Sequence, residues 1–129
     1  MSGAIHQEIT FKANPQRVYD ALMKDNEFSR WSGGAPAKIT DEAGGEFSCF
    51  GGMITGRHVE LKKGQRIVQA WRAGNWPDGV YSIARFDLAP QGSGTKLTFE
   101  HTGFPSEMRE HLEGGWHKMY WEPLKSHLA

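Results

Sequence analysis

Histidine and cysteine are the side chains whose chemistry is most readily available near neutral pH, and this 129-residue chain has six of the first and one of the second. His101 falls in "GTKLTFEHTGF", where alternation puts it on one strand face with Leu97 and Phe99 and aims it inward. There it could serve a bound ligand as hydrogen-bond donor, or act as acid or base. The plainer reading is a buried histidine satisfied by a neighbouring backbone group or hydroxyl. His111, His117 and His127 lie six and ten residues apart, so they do not share the i, i+4 face of a helical zinc pair, and no metal is expected. Cys49, in "EFSCFGG", shares a strand face with Phe47 and has no cation or base beside it in sequence, so it reads as a small hydrophobe. Gln69 and Trp71 share one face of "RIVQAWR", and a buried Gln69 amide would need a partner.

No stretch matches a phosphate-binding GxxxxGK[ST] loop, an HExxH helix, paired CxxC motifs or a GxSxG elbow. The reading is therefore non-catalytic and without a cofactor, with a cyclase-like or hydrolase-like use of His101 as the enzymatic alternative. Fifteen basic and fifteen acidic residues leave no net charge and form no long run of one sign, which argues against a nucleic-acid partner. No 18 apolar residues run together, and "MSGAIHQEIT" has no basic segment followed by an apolar core. A lone cysteine leaves no internal disulfide. A cytoplasmic protein without membrane insertion is expected, folded as one domain over residues 1–129.

The elements that must position these residues follow from periodicity. "IHQEITFKA" alternates Ile5, Ile9 and Phe11 with polar neighbours, a half-buried strand. In "NPQRVYDALM", Asn14 caps a helix, Pro15 suits its first position, and Val18, Tyr19, Leu22 and Met23 form its apolar face. A second short helix runs to Trp31 before "SGGAP" ends it. Strands are expected over Ala37–Thr40, Glu46–Phe50, Met53–Leu61, Arg66–Ala73, Val80–Leu88 and Thr95–Thr102, with hairpin turns at "NWPDG" and "PQGSG". Ser82, Ala84, Phe86 and Leu88 share a face, as do Leu97, Phe99 and His101, and that apolar sheet face needs a cover.

The cover is "EMREHLEGGWHKMYWEPLKSHLA", a long amphipathic helix with two glycines and a proline in its interior. On a wheel centred on Trp116, Met108, Leu112, Met119, Tyr120, Pro123, Leu124 and His127 fall within about 80°, whereas Trp121 falls about 140° away and should face the flank or solvent. Each glycine costs roughly 1 kcal/mol against alanine, and Pro123 removes a helical hydrogen bond at about 3 kcal/mol. Gly114 and Gly115 should either let the backbone approach the strands closely or leave a hollow beneath the helix.

The order strand, helix pair, six strands and long C-terminal helix resembles the helix-grip fold of the START-like (SRPBCC) superfamily. "NPQRVYDALM" ending in Trp31, "GGEF", "ITGRHVEL", "RIVQAWR", "NWPDG", "GTKLTFEHTGF" and "GGWHKMYWEPLK" together resemble the C-terminal domain of the activator of Hsp90 ATPase, the AHSA1-like type. That resemblance implies an α+β fold in which a curved antiparallel sheet wraps around the long helix and leaves a cavity for an apolar or amphipathic small molecule. It also implies an Hsp90-type chaperone as an alternative partner. The separate N-terminal domain of the eukaryotic activator, with its Asn-rich chaperone-contacting motif, has no counterpart in these 129 residues, so strong ATPase stimulation is not expected of them alone. From the inward alternation, the cavity should be lined by Phe47, Gln69, Trp71, Ser82, Phe86, Phe99, His101, Trp116 and Tyr120.

Overall fold

A computed structural model describes residues 4–129. The first strand, β1 (Ile5–Phe11), buries alternate residues, Ile5, Gln7, Ile9 and Phe11, as its sequence requires. Helix α1 (Pro15–Met23) begins where the Asn14 side chain accepts a hydrogen bond from the Arg17 N–H at 2.9 Å. It buries Val18, Tyr19, Leu22 and Met23, and α2 (Asp25–Trp31) buries Phe28 and Trp31.

The remaining strands are β2 (Lys38–Ile39), β3 (Glu46–Cys49), β4 (Ile54–Lys62), β5 (Arg66–Ala73), β6 (Ser82–Gln91) and β7 (Gly94–Thr102). They form one antiparallel sheet in the order β1-β7-β6-β5-β4-β3-β2. Both expected hairpins are present, as β5 pairs with β6 and β6 with β7. Between His58 and Glu60 the β4–β5 register shifts by a bulge, which bends the strand and curls the sheet. Gly56 permits this curl, because a methyl there would lie 1.8 Å from the Ala70 carbonyl oxygen and 2.8 Å from the Phe47 ring.

The concave face, carrying Ile67, Ala84, Phe86, Leu97 and Phe99, is buried under the C-terminal helix. That helix is continuous from α3 (Arg109–Gly115) through a π-helical segment (Trp116–Trp121) to α4 (Glu122–His127). The short helices close one end of this layer: Phe28 and Trp31 pack on Tyr120 at 5.9 and 5.6 Å between ring centroids. The Trp31 indole donates to the Ala21 carbonyl at 2.8 Å. At the same end Glu27 of α2 receives Arg17 of α1 and, at 3.0 Å, His127 of α4. The fold is the expected α+β arrangement of a curved antiparallel sheet around a long terminal helix.

Candidate functional site

The π segment overturns part of the wheel. The Glu122 N–H bonds to the carbonyl of His117, five residues back, so the turn is wider than the 3.6 residues of an α-helix. Trp121 therefore turns inward with Trp116: it is 2% exposed, and the two indoles stack at 5.7 Å and 22°. Met119 turns outward and is 46% exposed. Pro123 then falls directly after the widened turn, where the helix already departs from the regular i→i−4 pattern that its missing N–H would interrupt. The widened turn is pinned from β1, since the Gln7 amide donates to the Glu113 carbonyl at 3.0 Å and accepts from the Trp121 indole at 2.7 Å. Gln7 was not singled out from the sequence, although period-two alternation puts it on the face of Ile5, Ile9 and Phe11.

The glycines do not serve close packing. A methyl at Gly114 or Gly115 would meet nothing within 4 Å, so the alternative of a hollow beneath the helix is the one realised at Gly115. There a cleft of about 230 Å³ opens between helix and sheet. Trp71, Ala73 and Ile54 form its sheet wall, and Leu112, Gly115, Trp116 and Tyr120 its helix wall. Phe50 and Met53 close one side, Trp76 from the β5–β6 turn another, and Met108, Met119, His111 and Asn75 its edge. Phe50 is held at φ 55°, a left-handed conformation that costs a non-glycine residue about 1–2 kcal/mol, while its ring packs on Phe28 and Tyr120 at 5.6 and 5.5 Å.

Of the nine residues expected at the cavity, Trp71, Trp116 and Tyr120 border this cleft. Phe47, Gln69 and Phe86 instead border a void of about 10 Å³, at the lower limit for one water, beyond Tyr120. Ser82, Phe99 and His101 border neither space and lie in packed interior, at most 1% exposed. Phe50 and Met53, expected at strand ends, lie instead in the turn between β3 and β4, and Trp76 lies in the β5–β6 turn, so alternation gave none of the three its facing; the Gly-Gly after Phe50 and the Pro after Trp76 are the local signals there.

His101 is engaged on both ring nitrogens. The Trp116 indole donates to Nδ1 at 3.0 Å, which places the proton on Nε2 and lets it donate to Ser82 Oγ at 2.7 Å. Ser82 in turn donates to the Trp71 carbonyl at 2.9 Å. Burial lowers the His101 pKa to about 3, so the ring is neutral and satisfied. Cys49 is equally inert, its thiol pushed up to about 12 by burial and then by Asp25. His58, stacked on Phe47 at 5.3 Å, is 1% exposed with neither ring nitrogen bonded, and burial lowers its pKa to about 4. Among the described residues no three His, Cys, Asp or Glu side chains converge as metal ligands would.

Residues 12–129 match the family model for activator of Hsp90 ATPase homolog 1-like proteins. The chain belongs to this family. Among AHSA1-like relatives it is 29% identical over 125 residues to the activator of 90 kDa heat shock protein ATPase homolog 2 of Mus musculus, covering 97% of this chain and 38% of that one. It is 31% identical over 116 residues to the Dictyostelium discoideum homologue, covering 89% and 30%. It thus spans less than two-fifths of the length of either relative. An HSP90 activator from Plasmodium falciparum superposes with a TM-score of 0.86 at 24% identity, over 91% of this chain and 89% of the other. The Aha1 dimer of Colwellia psychrerythraea superposes at 0.82 with 21% identity, over 98% and 96%. These likenesses establish the shared fold.

Proposed function

We propose that this AHSA1-like chain binds a small apolar or amphipathic molecule, without catalysis, in the cleft beneath the junction of α3 and the π segment. The observation that carries the reading is the cleft itself: about 230 Å³ of space with mainly aromatic and aliphatic walls, kept open where Gly115 has no side chain. Such composition is that of small-ligand sites, though the volume lies below the roughly 300–1,000 Å³ of drug-sized ones and suits a smaller guest. Three of the proposed contacts, Trp71, Trp116 and Tyr120, already border it. The engagement of both His101 nitrogens argues against an acid or base at this site. Native mass spectrometry of the chain purified from its own host tests the proposal. A co-purifying small molecule, lost when Gly115 is replaced by leucine, is the expected result. A chain that carries no adduct and takes up no lipophilic compound in a thermal-shift screen would end it.

A second reading, an Hsp90-type chaperone as partner, is favoured by the relatives, whose names describe activators of the 90 kDa heat shock protein ATPase. Its test is the turnover of the Hsp90 ATPase of the same organism with and without stoichiometric chain. A several-fold rise would establish an activator, and an unchanged rate with no pull-down would remove this reading.

A further inference from the structure

The convex face of the sheet divides by how its cations are met. Toward β7 and β1 they have carboxylate partners: Lys96 meets Glu8 at 3.3 Å, His6 meets Glu8 and Glu100 at 3.3 and 3.4 Å, and Asp87 receives Arg85 at 2.6 Å and Arg66 at 2.7 Å. At the opposite corner the strand register sets Lys38, Ser48, Thr55 and Arg72 side by side in one row across β2, β3, β4 and β5. The next row is Glu46, Arg57, Ala70 and Ile83. Alternation puts both rows on the face opposite the buried Phe47 and Trp71. Among the described residues no carboxylate pairs with Lys38 or Arg72. The Arg72 guanidinium donates instead to the Trp76 carbonyl at 2.7 Å and lies 5.8 Å from the centroid of the Tyr81 ring. Arg57 has one carboxylate, Glu46 at 3.3 Å, and because both side chains are mostly exposed the pair holds only weakly.

Along these rows runs a groove of about 450 Å³, bordered by Lys38, Arg57 and Tyr81 and carrying the hydroxyls of Ser48 and Thr55. It shares no residue with the cleft beneath the helix. In the two rows Lys38, Arg57 and Arg72 stand against Glu46 alone, so a carboxylate arriving here finds cations that the chain leaves uncompensated. Glu46 among them opposes a dense polyanion such as nucleic acid. Tyr81 and Ile83, 51% and 41% exposed, offer apolar contact beside the cations. A protein segment in which carboxylates are interspersed with apolar side chains satisfies both the charge and the apolar surface.

We propose that this corner of the convex face is a docking surface for an acidic segment of a partner protein, its carboxylates meeting Lys38, Arg57 and Arg72 and an apolar side chain resting on Tyr81 and Ile83. The proposal uses no residue of the cleft and stands apart from the ligand-binding reading. Its test titrates three probes into the whole 15N-labelled chain: a capped pentapeptide of four glutamates around a leucine, the same peptide with glutamines, and inorganic phosphate. The glutamate peptide should shift the amides of Ser48, Thr55, Arg72 and Tyr81, and it should bind about tenfold more tightly than the glutamine peptide at low salt, an advantage that shrinks as salt is raised. Lys38→Glu and Arg57→Gln, both at exposed positions, should each weaken the glutamate peptide by roughly three- to fivefold or more. Lys125→Glu, the same charge reversal on α4, should leave its affinity unchanged. No binding of the glutamate peptide, equal binding of the glutamine peptide, or an equal loss in Lys125→Glu would each overturn the proposal. Phosphate shifting the same amides as strongly as the glutamate peptide would also overturn it, and would mark a free-anion site in place of a docking surface.

Discussion

Around Trp121 the C-terminal helix meets the sheet without a gap, its indole 5.2 Å from the Phe99 ring and 6.1 Å from Phe86, whereas one turn earlier, at Gly115, the same helix stands over a cleft of about 230 Å³. The closed half is fastened by polar contacts made deep in the interior: Gln7 to Glu113 and Trp121, Trp116 to His101, His101 to Ser82. The open half is bounded by Trp76, whose buried indole N–H meets no acceptor, and by the exposed Met53 and Met119. At the closed end, polar pairs made across elements draw the helix onto the sheet.

The contrast is broken most severely at Trp121. Trp121→Ala should lower stability by about 3–5 kcal/mol, since it removes a fully buried ring and strands the Gln7 carbonyl oxygen, whereas Met119→Ala, at the rim, should stay within about 0.5 kcal/mol. Urea unfolding of the two variants measures this, and equal losses would mean that the halves do not differ.

Acid should act next. In the unfolded chain His58 and His101 take a proton near pH 6.5; in the folded chain burial holds them neutral down to about 4 and about 3. Stability is therefore full above pH 6.5 and falls as pH drops from there toward 3, by several kcal/mol in total on the scale of about 1.4 kcal/mol per unit. Replacing His58 with phenylalanine should flatten the upper part of that fall, between pH 6.5 and 4. Denaturant midpoints at pH 7.5 and 4.5 read the difference, and an unchanged slope would show that His58 is not held neutral by the fold.

A smaller effect is expected at the pin. Gln7→Leu leaves the Trp121 indole N–H without its acceptor and the Glu113 carbonyl without its side-chain donor, at a cost of about 1–3 kcal/mol. The Trp121 indole resonance should shift, and the π segment should exchange its amides faster. Unaltered exchange would mean that the widened turn is intrinsic to the helix sequence.

The smallest change in stability belongs to Gly115→Ala. Its added methyl meets no atom within 4 Å, so stability should hold or rise by up to about 1 kcal/mol through helix propensity. Affinity for a probe such as 2-acetylnaphthalene should meanwhile fall roughly two- to tenfold as the cleft narrows. A clear loss of stability would show instead that the helix needs glycine for contact.

Much of this architecture was legible in the chain. The strand faces followed from period-two alternation: Phe86, Phe99 and His101 point inward as their positions required. The Asn14 cap and the two hairpins followed from turn and cap chemistry that acts within a few residues. The candidate site was less legible. Phe50 and Trp76 reach it from turns, and the histidine with the most suggestive position is occupied by Trp116 and Ser82. A wheel drawn at a constant angle placed Met119 inside and Trp121 outside, the reverse of what the helix does.

What the sequence by itself determined was the set of elements and the inward face of each strand, because alternation, capping and turn preference are properties of neighbouring residues and need no distant partner. The phase of the covering helix was decided only in the tertiary structure. Its π turn joins Gln7 to Trp121, 114 residues away, and the rotation it imposes sets which side chains meet the sheet. The same holds for the cleft: a glycine on a helix is space only when something else holds the helix off the sheet at that point. Here the packed aromatic rings of Trp116, Tyr120 and Trp71 hold it there, through contacts between elements that no local rule connects.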